Sequence, residues 1–226
     1  MEMTLDREAC RTCADRPCVT QMRQKGLRFS ATEQTVEEVL AECLNSRPMF
    51  FDGGGVTLTG GEVSLQFEAV TDLLGRLGEA GVHRAIETNG THPREQEWLS
   101  LVDEWIMDFK HCDDEKHKAW LGVGTDRIRK NLIYMAEHHP DMLIRIPLMP
   151  GFNDSPEEAK GLAAFLGAHA VSGRVRVEVL PYHEFGKAKW SQCGMDYKMK
   201  PGKISNETRL NLEEELRRAG LQVVRT

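Results

Sequence analysis

Between Gly53 and Val224 short apolar runs alternate with longer amphipathic segments, and few folds accept that pattern. The short runs, over 53–59, 83–87, 104–110, 143–148, 175–180 and 221–224, read as strands. The longer segments predict helices starting at 64 and 155 and spanning 94–102, 126–137 and 206–219, with Phe67, Val70, Leu74 and Leu77 at helical spacing in the first of them. Ser64 is the expected cap of that helix and Gly81 its stop. Ser155, Pro156 and Glu158 combine a cap, a first-position proline and a box-closing carboxylate. An earlier helix opens at Thr35-Val36-Glu37-Glu38 and gathers Val36, Val39, Leu40, Cys43 and Leu44 on one face, with no strand pattern before it. Strands alternating with helices of this length form parallel βαβ units, so the class is α/β. Pattern alone leaves a barrel and a doubly wound sheet both open.

Composition narrows the function. At 226 residues, 40% apolar and 28% charged, the chain is expected to be one globular domain, or one with a small appendage, which excludes disorder and collagen. A formal charge of −6 without any Lys/Arg run argues against a nucleic-acid partner. No stretch approaches the ~20 apolar residues of a membrane span. The first eight residues lack the apolar core of a secretory signal, so the expected place is the cytoplasm.

In parallel α/β folds the functional groups collect at the carboxyl ends of strands. Those ends carry Glu62, Glu87, Asp108 with Lys110, Arg145 and His183. Asp108 and Lys110 are two apart on one strand and share a face, which suits either a polar mouth or a structural ion pair. Gly60-Gly61 would free backbone amides for close approach to a ligand, and Glu62 could accept from an ammonium group. The plain alternative is a tight turn. Cys10, Cys13 and Cys18 have the spacing C-x2-C-x4-C, and soft thiolates so placed suit an iron–sulfur cluster or zinc, or are free surface thiols. Met22 stands where a fourth ligand is expected; Cys43 reads as a core residue, and nothing raises Cys112 or Cys193 above that.

From residue 35 to the end, the chain resembles the glycyl-radical-enzyme activating enzymes of the radical S-adenosylmethionine (SAM) superfamily, the group that contains pyruvate formate-lyase activase. The resemblance rests on the segments from Gly53 through Gly60-Gly61-Glu62, Glu87-Thr88-Asn89-Gly90, Asp108-Phe109-Lys110-His111, Arg145 through Pro150-Gly151-Phe152-Asn153-Asp154, and Leu180 through His183 to Gly186 with Lys189, in that order. It implies a partial (βα)6 barrel of the TIM type that binds S-adenosylmethionine against a [4Fe–4S] cluster. Gly60, Gly61 and Glu62 would hold the amino end of the cofactor's methionine part. Glu87, Thr88 and Asp108 would lie by its carboxylate and ribose, and Lys110 and His183 would complete the pocket. Cys10, Cys13 and Cys18 resemble the last part of a ferredoxin-like insert, placing a remnant of that insert at 1–34 and the barrel domain at 35–226. The implied activity is reductive cleavage of the cofactor and hydrogen abstraction from a glycine of a partner enzyme. The implied partners are a formate acetyltransferase-like glycyl-radical enzyme and an electron donor such as flavodoxin or ferredoxin.

The family's C-x3-C-x2-C, which leaves one iron open for the cofactor, occurs nowhere among these six cysteines. The barrel's first strand and its preceding loop are expected to be missing as well, in keeping with a first helix that lacks a strand before it. The chain is therefore expected to be inactive alone, as part of an activase. Two alternatives stand beside this reading. One is a non-catalytic remnant or partner-binding module of the same fold. The other is an aldolase-like barrel with Lys110 as a Schiff-base amine, disfavoured because Asp108 should keep that lysine charged.

Overall fold

The computed structural model describes residues 6–20, 29, 31–170, 173–197, 199 and 202–225, and Met22 lies outside them. In chain order the elements are α1 (Arg7–Thr12), α2 (Pro17–Thr20), α3 (Val36–Asn45), β1 (Gly55–Leu58), α4 (Phe67–Glu79), β2 (His83–Thr88), β3 (Glu104–Asp108), α5 (Asp114–Leu121) and α6 (Asp126–His138). Then come β4 (Met142–Leu148), α7 (Pro156–His169), β5 (Val175–Pro181), α8 (Lys187–Gln192), α9 (Asn206–Arg218) and β6 (Gln222–Val224). They divide into two compact units, one of residues 36–183 and 200–226, the other of residues 1–35 and 184–199.

In the larger unit the six strands form one sheet, every neighbouring pair parallel, in the order of the chain. That order decides between the two architectures the pattern left open. A doubly wound sheet reverses its strand order at a switch point, whereas right-handed crossovers between strands in chain order put the helices on one face and curl the sheet toward a barrel. The register shows both faces. Met107, Ile144 and Val177 are paired in one row and belong to the core with Leu74, Leu132, Leu162, Leu166 and Leu212 of the helices. The next row, Asp108, Arg145 and Glu178, lies on the opposite, concave face because successive strand side chains alternate. Burying each large apolar side chain of the first row contributes about 1.5–3 kcal/mol, so the helix-facing row holds the scaffold while the concave row is left to polar groups. α3 packs on α4 through Val36, Val39, Leu40, Cys43 and Leu44 around Leu73 and Leu77, the apolar face its spacing predicts.

Four local expectations give way. Ser64 does not cap α4: its hydroxyl donates to Glu62 at 2.6 Å, and the Glu62 carboxylate accepts from the Ser64 amide at 3.0 Å, capping a 3-10 turn over Val63–Gln66 before α4 begins. The helix expected over 94–102 is a 3-10 turn, Glu95–Trp98, where Trp98 stacks on Phe67 at 4.5 Å and donates to the Thr71 hydroxyl at 2.7 Å. Packing of this short connection against α4 overrides its helical spacing. α5 was not expected because its polar face dominates, although Asp113 caps it at Lys116 N and Gly122 closes it in the left-handed conformation. At α7 the Ser155 hydroxyl accepts from Glu158 N at 3.2 Å as expected, but the Glu158 carboxylate contacts His111 and Lys116 instead of closing a box.

In the smaller unit Asp6 caps α1 at the amides of Glu8 and Ala9, both 3.1 Å, and Arg7 donates to the carbonyls of Ser191 and Gln192 at the end of α8. Among the described residues no helix is long and apolar enough to cross a membrane.

Candidate functional site

The segment after β1, Thr59-Gly60-Gly61-Glu62, builds one side of the site. Gly60 has φ +146°, a conformation that side chains disfavour, and a Cβ at Gly60 or Gly61 would meet nothing within 4 Å. At Gly61, therefore, packing does not demand glycine; what its missing side chain leaves is open space over the backbone. Glu62 holds this turn to the end of β2. Its Oε1 accepts from the Thr88 hydroxyl at 2.8 Å as well as from Ser64, and its Oε2 accepts from Asn89 N at 2.8 Å. A carboxylate has about four acceptor sites split between two oxygens, so Oε2 keeps room for one more donor.

Opposite stands an ion network on the concave face. Arg145 donates to Glu87 Oε1 at 2.8 Å and to Glu178 Oε2 at 3.1 Å, and the Thr59 hydroxyl donates to Glu87 Oε2 at 3.0 Å. Burial works against the charge of Arg145, but the two carboxylates more than offset it and raise its pKa. Lys110 donates to Asp108 Oδ2 at 2.6 Å. The aldolase-like alternative loses ground here, because the lysine sits in an ion pair with a carboxylate. Asn153, fully buried, ties the ends of β3 and β4 together: its Nδ2 donates to the carbonyls of Lys110 at 2.7 Å and Pro147 at 2.9 Å, and its Oδ1 accepts from Met149 N at 2.7 Å. Asn131 does similar work beneath β2, donating to the carbonyls of Gly90 and His92.

These segments enclose a cavity of about 180 Å³. Gly60, Gly61, Glu62, Glu87, Thr88, Asp108 and Lys110 all line it, and Thr59 and Asn89 join them. His183 does not line it; that residue is exposed two positions beyond β5. Cys10 lies in α1, Cys13 caps the end of α1 and Cys18 lies in α2. Among the described residues no group of three or more His, Cys, Asp or Glu is placed to hold a metal ion, so the structure does not gather these thiols into one. Burial pushes the Cys112 thiol up to about 12, which suits a core residue rather than a thiolate ligand.

Of the two groups implied by the resemblance, one fits these residues and one does not. A zwitterionic amino-acid end fits the cavity, because open glycine backbone, acceptor carboxylates and one ammonium surround it. A [4Fe–4S] cluster open to a cofactor does not fit the described residues, which offer no set of clustered thiolates.

Fold and site together define a parallel, barrel-forming α/β protein with a polar cavity at the carboxyl ends of its strands. A family model described as the radical SAM superfamily matches residues 8–163. The chain is 32% identical over 197 residues to the 4-hydroxyphenylacetate decarboxylase activating enzyme of Clostridioides difficile, covering 85% of this chain and 61% of that one. It is 35% identical over 172 residues to the pyruvate formate-lyase 1-activating enzyme of Escherichia coli K12, covering 74% and 69%. A crystal structure of a domain of pyruvate-formate lyase-activating enzyme from Bacteroides vulgatus matches with a TM-score of 0.62 at 30% identity, over 76% of this chain and 98% of that one. The chain thus belongs to the radical SAM superfamily, among relatives that are glycyl-radical-enzyme activating enzymes. It spans 61% of the length of the Clostridioides relative.

Proposed function

We propose that this chain is the S-adenosylmethionine-holding part of a glycyl-radical-enzyme activase. The observation that carries the reading is the cavity itself, where residues from the ends of β1, β2 and β3 converge with open glycine backbone on one side and paired charges on the other. Glu62 Oε2 and the Gly60-Gly61 backbone receive the ligand's ammonium end, and Lys110, shared with Asp108, faces its carboxylate. Glu87 and Asp108 accept from the ribose hydroxyls. The Arg145 network keeps Glu87 fixed for that task. His183 would complete the pocket only on moving from its exposed place beyond β5, because it does not line the cavity in this structure.

In a complete activase the cofactor held here would supply the oxidising power for hydrogen abstraction from a glycine of a partner enzyme. The whole activity requires cluster-ligating thiolates that this sequence does not carry in the C-x3-C-x2-C arrangement, so the chain alone binds the cofactor without cleaving it. Its partners are a glycyl-radical enzyme and a low-potential electron donor such as flavodoxin or ferredoxin. Titration calorimetry with S-adenosylmethionine tests the reading: the chain binds, and Lys110→Ala weakens binding at least about tenfold, the loss of one charge-assisted contact. Absence of binding by the well-folded chain overturns it. Cofactor cleavage after iron and sulfide reconstitution of this chain by itself would overturn the claim that it is inactive alone.

A further inference from the structure

Beneath the Gly-Gly-Glu turn, two carboxylates meet one hydroxyl. Thr88 Oγ1 lies 2.8 Å from Glu62 Oε1 and 3.2 Å from Glu95 Oε1, and it accepts from Gly90 N at 3.2 Å. Thr88 has a single hydroxyl hydrogen, so it donates to one carboxylate only. The shorter contact assigns that hydrogen to Glu62. The contact with Glu95 is then favourable only if Glu95 donates to Thr88, which requires a proton on Glu95; without it two oxygen lone pairs oppose each other.

The surroundings favour the proton at Glu95 over Glu62. Glu62 accepts four hydrogen bonds, from Ser64 N, the Ser64 hydroxyl, Thr88 and Asn89 N. Glu95 is fully buried, accepts from His92 N at 3.1 Å, and has an Oε2 with no partner. An ionised carboxylate buried with one firm donor is costly, whereas the neutral acid is not. Among the described residues no cation compensates. The Arg94 guanidinium next to it is bonded to Glu68 and Glu97 and lies 4.4 Å over the Phe67 ring. α6 contributes the neutral Asn131, and Glu87, beside Thr88, is engaged by Arg145 and Thr59. Glu62 is thus the charge that faces Glu95.

We propose that Glu95 is a positioning residue that stands as a neutral acid and orients the Thr88 hydroxyl onto Glu62, so that one buried hydrogen holds the Gly-Gly-Glu turn in its ligand-binding form. This rests on the reading of the cavity as the S-adenosylmethionine site. Burial pushes the Glu95 carboxyl up to about 7, with the bond from His92 N opposing the rise and the facing Glu62 charge adding to it. The proton is therefore lost near neutral pH, and the orientation of Thr88 with it.

Calorimetry of S-adenosylmethionine binding from about pH 6 to about pH 8, on the wild-type chain and on Glu95→Gln, tests the proposal. Glutamine does not titrate; with its amide nitrogen in the place of Oε1 it donates to Thr88 but gives up the bond from His92 N, which that same atom accepts, so the variant is a reference for the pH slope and not for the absolute affinity. Ionisation of the ligand's own amine affects both proteins equally. The wild type should lose about tenfold more affinity over this range than the variant, a decade per pH unit above the carboxyl's pKa. Parallel curves for the two proteins overturn the proposal. If neither protein binds, the reading of the cavity fails, and Glu95 is judged by carbon-13 NMR of glutamate carboxyls in the unliganded chain. One glutamate titrating well above the ordinary range upholds the proposal; every glutamate titrating within that range overturns it.

Discussion

Arg145 on β4 donates to Glu87 on β2 at 2.8 Å, across the intervening strand β3. On the concave face of a curling sheet the side chains of alternate strands converge, and this contact is that convergence. It joins the wall of the cavity to Glu178 on β5, so one guanidinium holds three strands at their polar ends. Replacing it with Met should cost about 3 kcal/mol, the lower end for removing one partner of a buried pair, because Glu87 is partly exposed. Denaturant unfolding measures this. Arg145→Lys should recover little, since one ammonium does not reproduce a fork that meets two carboxylates.

Gly60 and Gly61 should respond differently to alanine. Gly60→Ala places a side chain at φ +146° and should destabilise the fold, whereas Gly61→Ala meets neither strain nor contact. The Gly61 variant should keep its stability or gain up to about 1 kcal/mol through a stiffer unfolded chain. Its added methyl stands in the cavity, so S-adenosylmethionine affinity should still fall. Melting curves beside calorimetry separate the two effects, and unchanged affinity in both variants would remove the ligand from this backbone.

Asn153→Leu should cost about 3 kcal/mol, because it leaves the carbonyls of Lys110 and Pro147 and the amide of Met149 without their partner. Lys110 loses its fixed backbone in the same step. Weakened ligand binding is expected beyond what the lower stability explains, measured at a temperature where the variant is fully folded.

Asp103 predicts an acid limb. Hydrogen bonds from the Arg84 side chain hold its carboxyl below the usual carboxylate range, with contacts at 2.9 and 3.0 Å and a further bond from Arg84 N at 2.8 Å. A depressed folded value means that the stabilisation is present above the unfolded carboxyl's pKa and lost as pH falls through the folded one. The Asp103→Asn variant should therefore show a shallower loss of stability below about pH 4 than the wild type. Equal slopes for the two proteins would show that Arg84 and Asp103 contribute nothing to acid sensitivity.

How far the sequence reached follows from the range of each interaction. The strand–helix alternation, the Ser155 cap of α7 and the apolar face of α3 depend on neighbours a few residues apart, and they were legible as periodicity and caps. The same local rules misplaced the cap of α4 and predicted a helix where Trp98 instead packs on Phe67 in a 3-10 turn, because a contact 31 residues away outweighs local spacing. The polar strand ends were legible as candidates, but not their partners. Asn131, Asn153 and Glu95 gave no signal of their own: a buried asparagine or glutamate looks in sequence like any loop residue.

The α/β class with its βαβ units, the Gly60-Gly61 pair between a strand and a helix, and the charges at the strand ends were legible in the chain alone, since each is written in adjacent or periodically spaced residues. The chain order of the strands, the single cavity shared by seven of those candidate residues with His183 outside it, the open space over Gly60-Gly61 and the meeting of Glu62 and Glu95 at the Thr88 hydroxyl came from the tertiary structure. The reason is that the contacts that build the site join residues 26, 28 and 58 positions apart, and only the curl of the sheet sets those distances.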